Sequence, residues 1–472
     1  MAFSDRASAV SGPIVLVTVA GTLLAALGDV GAARAVAVAA LLLYLALEFP
    51  RVPAKGRWVA VGVVAVVALC LLAVDEPAAV LWAGLVRSSF LVSFFAVLGL
   101  LREAAETSPA VRRGGGHLLD QPPGRRYLAL TFGSHLFGMV LNYGAVALVG
   151  AMIKGANAGP AAGGDAALRE RRERRMMLAM FRGFAAAMAW SPLSVMPVVV
   201  LGALPMLNWL QVAPLGLTMA LCFMLLGWLL DRVAGGRRTG QPPVPQSGER
   251  WTIHLRLAGL VALILGLGLT MEWLLQTRLF IAMVLVVPFV VAGWLLAQYR
   301  RQGPAGAARA TAGRLAGYVR SQIPNMRTEL SLLTMSGVVG TALAAAVPGE
   351  ALAALLAERS LPGILMPLAA LWGAVGLGVI GLPPLIAVTF LSAGMPSPGL
   401  LGVAPVVVAG AYMAAWGLSA NRCPLTAPAI LLSRFVGQSS WHIMKNWNGR
   451  HTVLCLIAAS VVLVLADGLI AP

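Results

Sequence analysis

The sequence predicts an all-α polytopic membrane protein with about 11 transmembrane spans, two oppositely oriented re-entrant hairpins and an inverted-topology repeat. Three observations predict this fold class. Hydrophobic residues make up 59% of the 472-residue chain and charged residues only 11%, whereas roughly a quarter of a soluble domain is charged. The apolar residues form runs long enough to cross a bilayer, with the basic residues in the loops between them. Short motifs of the first half recur in the second half.

The spans are predicted from apolar runs of about 17 to 25 residues. In chain order they are 12–28, 33–48, 57–74, 78–101, 176–206, 213–231, 256–275, 279–299, 329–348, 401–433 and 451–470. Residues 1–77 are expected to form N-terminal scaffold helices, and residues 232–328 cytoplasmic loops with linking or scaffold helices. The intervening stretch 78–231 is expected to be the first inverted repeat, and 329–472 the second.

The basic loops predict the orientation, because cytoplasmic loops carry an excess of Lys and Arg. Arginine-rich loops flank the apolar stretch 127–153, so this hairpin is expected to enter and leave on the cytoplasmic side. The stretch 361–395 is flanked by Glu350, Glu358 and a nearly uncharged turn, so this hairpin is expected to enter from outside. The N-terminus is then cytoplasmic and the C-terminus periplasmic. The net charge of +17 follows from this topology and does not indicate a nucleic-acid partner.

The repeat is visible as matched residues at nearly constant separation. Arg87–Phe90 is matched by Arg327–Leu330, and Gly138 is matched by Gly378. The predicted topology runs these matched segments in opposite directions across the membrane. Residue identities and loop charges therefore indicate the same inverted repeat.

A third match lies in two apolar segments that proline interrupts. Ser191–Ser194 is matched by Cys423–Thr426, within the predicted broken helices 176–206 and 401–433. Proline removes an amide donor and leaves main-chain carbonyls without intrahelical partners. Paired broken helices of this kind are typical of secondary transporters, in which helix N-termini favour anions and freed carbonyls suit Na⁺.

The candidate binding residues lie at these interruptions and at the hairpin tips. Asn142-Tyr143-Gly144 is the expected tip of the first hairpin, and Gly381–Pro384 that of the second. The predicted substrate-binding residues are Asn142, Ser191, Ser194, Asn421, Arg422 and Thr426. The predicted coupling-ion residues are Asn142, Gly381, Ser419 and His135. No cofactor and no metal centre are expected, apart from Na⁺ as a coupling ion.

Charged groups at membrane depth are costly and usually have a partner or a function. Arg422 lies inside the second broken segment, where a guanidinium could hold a carboxylate, phosphonate or sulfonate; the alternative is a structural arginine bonded to loose carbonyls. Arg182 lies only a turn or two into its helix; it is either a functional charge or a side chain that extends to the cytoplasmic face. His135 is either a packing residue or a proton carrier. Glu329 lies near the membrane surface and is a weak candidate for a proton relay.

The basic run 169–175 has two interpretations. It could contact anionic lipid headgroups, or it could serve only to retain its loop in the cytoplasm. The four cysteines show no paired CxxC spacing, so neither a zinc site nor a disulfide framework is indicated.

The order of arm helix, cytoplasmic hairpin and broken helix, followed by the same elements inverted, resembles the ion transporter superfamily. That superfamily includes divalent anion:sodium symporters, citrate transporters and antiporters of the ArsB and NhaD type. The resemblance covers about residues 78–470 and rests on Asn142 at the first tip and on Ser191-Pro192 and Cys423-Pro424 in the unwound segments. It implies a scaffold domain and a moving domain, usually in a homodimer, that work by an elevator motion. The Ser-Asn-Thr signatures of the dicarboxylate carriers are absent, so the resemblance does not identify the substrate.

The function predicted from these residues is secondary active transport of a small anion, an organic carboxylate or similar, across a bacterial inner membrane. Transport would be coupled to Na⁺ or H⁺, with membrane lipids as further partners. Export of an anion or metalloid and the handling of lipid-linked phosphates remain alternatives. A membrane enzyme is not favoured, because the sequence shows no cluster of acidic or histidine residues at a membrane edge.

Overall fold

The computed structural model describes residues 2–158, 166–234, 249–347 and 349–470, and no β-strand occurs within them. In chain order the α-helices are α1 (Ala2–Gly28), α2 (Gly31–Glu48), α3 (Ala54–Ala73), α4 (Pro77–Thr107), α5 (Pro109–Leu119), α6 (Pro123–Leu141), α7 (Gly144–Ala158), α8 (Ala166–Ala187), α9 (Val195–Ala203), α10 (Trp209–Ala234), α11 (Ile253–Leu275), α12 (Leu279–Tyr299), α13 (Gly303–Gly317), α14 (Ile323–Asn325), α15 (Arg327–Ala346), α16 (Gly349–Glu358), α17 (Leu365–Val379), α18 (Pro384–Ala393), α19 (Pro398–Leu401), α20 (Pro405–Ala420), α21 (Ala427–Val436), α22 (Ser440–His442) and α23 (Gly449–Ile470).

The predicted all-α membrane fold is confirmed, and the chain is a multi-pass membrane protein. In the part of the chain that the structure describes, eight helices are long and apolar enough to cross a bilayer, fewer than the predicted spans. The difference has a physical reason. The expected spans 176–206 and 401–433 are each interrupted by non-helical residues, and 57–74 contributes only the shorter apolar stretch Ala60–Ala73.

Proline starts many of these helices. It lacks an N–H that would be unsatisfied in the first turn anyway, and its fixed φ suits the first helical position. Helices that begin with proline are α4, α5, α6, α18, α19 and α20. Proline thereby divides the apolar chain into separate helices without a change in hydrophobicity.

The helices pack into two units. The first comprises Met1–Thr107, Ala262–Gly349 and Ser392–Gly394. At its centre α4 and α15, the two helices with the matched arginine motifs, pack along each other. Ser88 Oγ donates to the Thr334 carbonyl oxygen at 2.8 Å, and a Cβ added at Gly337 would lie 2.2 Å from Ser88 Oγ. Small residues allow this close approach, as is usual at helix contacts in membranes.

Two buried carboxylates also lie in the first unit. Glu48 is 0% exposed and accepts from Arg51 Nη1 at 3.0 Å, and its second oxygen is 3.2 Å from Arg327 Nε. Glu103 is 6% exposed and lies 2.5 Å from Arg314 Nε. A buried carboxylate is tolerated when it is paired in this way. Both stand at or just beyond the ends of predicted spans, where the sequence shows no sign of their burial.

The second unit comprises Ser108–Val261, Glu350–Leu391 and Met395–Pro472. It holds both predicted hairpins, as α6–α7 and α17–α18, and both interrupted helices, as α8–α9 and α20–α21. Helix α6 packs on α8, α17 packs on α20, and α10 contacts both α8 and α20. The unit therefore contains two copies of one motif, a helical hairpin laid against an interrupted helix.

Candidate functional site

The two helix interruptions have the same local structure. Ser194 and Thr426 are the N-cap residues of α9 and α21; the Thr426 side chain also accepts from the Ala429 N–H at 3.4 Å, whereas Ser194 forms no side-chain cap. Ser194 Oγ donates to the Ser191 carbonyl oxygen at 2.8 Å, and Thr426 Oγ1 donates to the Cys423 carbonyl oxygen at 3.2 Å. The matched sequence quartets therefore form the same hydrogen bond, from the last residue to the carbonyl of the first. Each interruption ends at a helix N-terminus, whose first-turn N–H groups lack helical acceptors and favour an anion.

The two hairpin tips differ in chemistry. Asn142 follows α6 with φ +52° and ψ −136°, outside the left-handed helical region that asparagine tolerates, and its Oδ1 accepts from the Tyr143 N–H at 2.8 Å. Gly381 ends the equivalent turn after α17 with φ +98°, which suits only glycine. The first tip therefore presents a side-chain amide and the second presents main chain.

Each tip lies close to its own interrupted helix. A Cβ added at Gly138 would lie 3.2 Å from Phe184 Cδ2 of α8, and one added at Gly378 would lie 2.5 Å from Ser419 Oγ of α20. A Cβ at Gly381 would be 3.1 Å from Leu425. The matched glycines of the repeat therefore serve the same purpose, which is to let a hairpin approach a helix near its interruption.

The two interruptions also meet inside this unit. A Cβ added at Gly417, just before the second interruption, would lie 3.1 Å from the Ala185 carbonyl oxygen and 3.4 Å from Ala189 Cβ, at the first interruption. One at Gly216 of α10 would lie 2.8 Å from the Ala189 carbonyl oxygen. Helix α20 therefore packs against the end of α8 next to the first interruption, and the region beside these contacts is the candidate binding site.

Most hydroxyl groups at this site are already engaged with main chain. Ser191 Oγ accepts from the Leu193 N–H at 3.3 Å, and Ser419 Oγ donates to the Ala374 carbonyl oxygen at 3.3 Å. Asn421 differs, because it is 2% exposed and its Oδ1 has no hydrogen-bond partner in the described residues. Buried polar atoms without a partner are rare and call for an explanation. An amide oxygen in this state suits a cation or a donor group of a ligand.

Arg422 is half-buried beside Asn421, and its guanidinium contacts main chain. Its Nη1 donates to the Met444 carbonyl oxygen and, at 3.0 Å, to that of Lys445. These contacts match the alternative expected for Arg422, a structural arginine that bonds main-chain carbonyls. Its role in anion binding stays a prediction. The guanidinium has further N–H groups that can donate to an anion.

His135 is part of an aromatic stack that the sequence did not predict. Its Nε2 accepts from Trp190 Nε1 at 3.1 Å, and the two rings stack with centroids 6.0 Å apart. Trp190 stacks in turn on Trp209 at 6.3 Å, whose Nε1 donates to the Trp190 carbonyl oxygen at 3.0 Å. Because His135 Nε2 accepts a hydrogen bond, a proton taken up there would break the contact with the first interruption. The position of Trp190 directly before Ser191 and Pro192 is the signal that could have found it.

Arg182 does not extend to the cytoplasmic face, which is one of the two interpretations of its position. It is 6% exposed and donates from Nε to Asn448 Oδ1 at 3.0 Å, from Nη1 to the Tyr127 hydroxyl at 3.1 Å and from Nη2 to the Trp447 carbonyl oxygen at 3.1 Å. That interpretation is wrong because the segment before α23, far away in sequence, supplies acceptors inside the unit. Glu329 lies in the first turn of α15 and belongs to the first unit.

Comparison with known proteins finds similarity in structure and none in sequence. No protein-family model matches the sequence, and no curated protein matches it. MtrF of Neisseria gonorrhoeae, described among a class of antimetabolite efflux pumps, superposes with a TM-score of 0.52 over 79% of each chain, at 14% sequence identity. The chain shares the fold of MtrF. The YdaH transporter of Alcanivorax borkumensis is 18% identical over 80% of this chain and 85% of its own, with a TM-score of 0.49.

Proposed function

We propose that the protein is a secondary active transporter that moves a small anion, an organic carboxylate or similar, by an elevator-type mechanism coupled to Na⁺ or H⁺. The observation that carries this proposal is the meeting of two equivalent helix interruptions, each approached by a hairpin tip, within one helical unit. Irregular backbone at membrane depth is tolerated where it is buried in protein or lines a cavity. The shared fold with MtrF supports transport as the activity.

An anionic substrate is favoured by the groups that converge on the site. The N-termini of α9 and α21 offer main-chain N–H groups and the positive ends of two helix dipoles. Arg422 adds a cation beside the second interruption. A carboxylate or a similar oxyanion matches these donors, with Asn142 as a further contact from the first tip.

Each of the two possible coupling ions has its own candidate binding groups. For Na⁺, the candidate ligand is Asn421 Oδ1, together with main-chain carbonyls near Ser419 and Gly381, since hard cations prefer oxygen ligands. For H⁺, the candidate carrier is His135, whose protonation at Nε2 would disrupt its contact with Trp190. These alternatives predict different responses to Na⁺ and to pH.

Export is an alternative to uptake as the direction of transport, because MtrF is described among efflux pumps. The exported compound would then be an anion or a metalloid. Handling of lipid-linked phosphates is the third candidate, since a cationic site also suits lipid phosphates. A homodimeric assembly, a bacterial inner-membrane location and the cytoplasmic N-terminus belong to the same proposal.

The experiment that tests this function is the thermal stability of the detergent-purified protein against a panel of small anions. Each anion is measured with and without Na⁺ and at two pH values. A ligand that binds only the folded state adds about 2.7 kcal/mol of stability at 100 times its Kd. We expect stabilisation by at least one anion that depends on Na⁺ or on pH. Isoprenoid phosphates are measured beside the anions; a response confined to them would instead support lipid handling, and no response to any soluble anion would contradict anion transport.

The variant Asn421→Ala tests the Na⁺ site separately from folding. Its removal leaves no other group unpaired, so we expect the stability without ligand to change by less than about 1 kcal/mol. The Na⁺-dependent part of the stabilisation should be lost. Asn446→Ala, at an exposed amide, is the matched control and should keep the full Na⁺ response. An unchanged Na⁺ response in Asn421→Ala would remove this residue from the cation site.

A further inference from the structure

Three elements of the second unit converge at one end, where α8 begins, α10 ends and α23 begins. Arg175 binds Asp231 through two hydrogen bonds of 2.6 Å, which join α8 to α10. The guanidinium of Arg174 lies 4.8 Å from the centroid of the Trp447 ring, which joins α8 to the turn before α23. His451 Nε2 lies 3.0 Å from the Phe223 carbonyl oxygen, which joins α23 to α10.

The acidic groups of this end are largely neutralised, and the basic groups are not. Asp231 is taken by Arg175, and Glu173 lies 2.9 Å from Lys154 Nζ. Exposed basic side chains at this end are Arg169, Arg171, Arg174, Arg232 and Arg450 on the three helices and Lys445 in the segment before α23. Glu170 is an exposed acid among them. The end therefore carries a concentrated positive charge that is open to a partner from outside the chain.

Tryptophan accompanies these cations. Arg174 lies over Trp447, and Arg232 lies 5.2 Å from the centroid of the Trp228 ring. A guanidinium that stacks on an indole keeps its edge N–H groups for a second partner, and their fork geometry matches a phosphate. Tryptophan is also enriched where membrane proteins meet lipid headgroups.

Apolar side chains continue from this basic end along two of the same helices. On α10 the exposed side chains Leu225, Leu229 and Val233 recur every four residues, so they lie on one face. Val453 and Ile457 are exposed in the same spacing on α23. A ligand that contacts both the basic end and the apolar faces of α10 and α23 needs an anionic group, such as a phosphate, and long apolar tails.

We propose that this basic surface, formed by Arg171, Arg174, Arg232 and Lys445 with Trp228 beside them and the buried Trp447 beneath Arg174, binds the headgroup of an anionic phospholipid whose acyl chains lie along α10 and α23. Basic clusters beside membrane helices are attracted to anionic lipid, and the exposed apolar stripes favour a lipid over a free phosphate ion. The surface adjoins the second interruption, since Arg422 Nη1 donates to the Lys445 carbonyl oxygen at 3.0 Å. Its cationic side chains are not among the predicted substrate-binding residues, so lipid binding here does not depend on the identity of the transported substrate.

The test uses the full-length protein, stripped of lipid in detergent. Its thermal stability is titrated with dioctanoyl phosphatidylglycerol, dioctanoyl phosphatidylcholine and inorganic phosphate. We expect stabilisation by phosphatidylglycerol and little by the other two. The variant Arg171→Gln/Arg174→Gln/Lys445→Gln changes three exposed side chains and should weaken the apparent affinity for phosphatidylglycerol by about 100-fold, from about fivefold for each charge removed.

The control variant Arg256→Gln/Arg309→Gln/Arg359→Gln removes three exposed arginines elsewhere and should keep the native affinity. An equal response to phosphatidylcholine would show that the tails alone bind and would overturn the proposal. An equal response to inorganic phosphate would overturn the lipid as the ligand. Equal losses in the two triple variants would show that only the total charge matters, which would also overturn this surface as a site.

Discussion

A buried arginine shows how single residues stabilise this apolar chain. Arg182 lies among membrane helices with neutral acceptors, a hydroxyl, an amide and a carbonyl, and no carboxylate lies within 4.0 Å of it in the described residues. A buried charge is costly unless its donors are satisfied. The three hydrogen bonds tie α6, α8 and the segment before α23 together, so this residue acts as a structural cross-link.

Replacement of Arg182 should therefore destabilise the folded protein. In Arg182→Ala the Tyr127 hydroxyl, Asn448 Oδ1 and the Trp447 carbonyl lose their donor, and unsatisfied buried groups cost about 1–3 kcal/mol each. We expect the free energy of unfolding to fall by about 3 kcal/mol or more, measured as a lower Tm in detergent. Arg182→Lys should rescue little, because an ammonium lacks the planar fork. Arg309→Ala, at an exposed site, serves as the control, and an equal Tm for all three proteins would refute the cross-link.

At the scale of the element, the hairpin and the interrupted helix form a motif that occurs twice. The equivalent hydrogen bonds of Ser194 and Thr426 and the matched close approaches at Gly138 and Gly378 show this directly. The copies differ in detail, since one tip carries an asparagine and the other a glycine. That difference allows the two tips to contact different groups of a substrate or different ions.

Two glycines of α17 provide a matched test of this motif. A Cβ at Gly378 would lie 2.5 Å from Ser419 Oγ, whereas one at Gly376 would meet nothing within 4 Å. We expect Gly378→Ala to destabilise the protein by about 1–3 kcal/mol through overpacking. Gly376→Ala should be neutral or stabilising by up to about 1 kcal/mol, because alanine favours the helix. Thermal unfolding of both variants measures this, and equal effects would contradict a specific contact between the hairpin and α20.

At the scale of the whole molecule, two helical units and eight long apolar helices in the described residues define a multi-pass membrane protein. The domain boundaries expected from the sequence follow the repeat and stay a prediction. In the structure α4 and α15 pack with the N-terminal helices in the first unit. The orientation in the membrane rests on the positions of the basic loops.

Labelling of single cysteines tests that orientation. In a Cys222→Ala background, Arg359→Cys lies in a predicted external loop and Arg309→Cys in a predicted cytoplasmic region, and both positions are exposed. A membrane-impermeant maleimide should label Arg359→Cys in intact cells and Arg309→Cys only after permeabilisation. The reverse pattern would invert the topology, and an unlabelled Cys222→Ala parent confirms that the three buried cysteines do not react.

Much of the fold could be predicted because the deciding signals are local. Long apolar runs identify membrane helices, and prolines at 192 and 424 locate the interruptions, since a missing amide and a steric clash act within one turn. The tip at Asn142 and the matched quartets were found in the same way. The stack of His135 on Trp190 and Trp209 was not, because its members are brought together only by the packing of α6 and α10 around the first interruption.

The sequence by itself therefore determined the class of protein, the helical repeat and the places where the helices break, all of which depend on hydrophobicity, charge and proline within short windows. Only the tertiary structure decided which polar groups are satisfied. It buried Arg182 against Asn448 and joined Arg422 to the carbonyls before α23, and among the residues that the structure describes it left Asn421 Oδ1 without a hydrogen-bond partner. The physical reason is that hydrogen bonding between distant segments depends on approach within about 3 Å, and no local pattern of residues encodes such a distance.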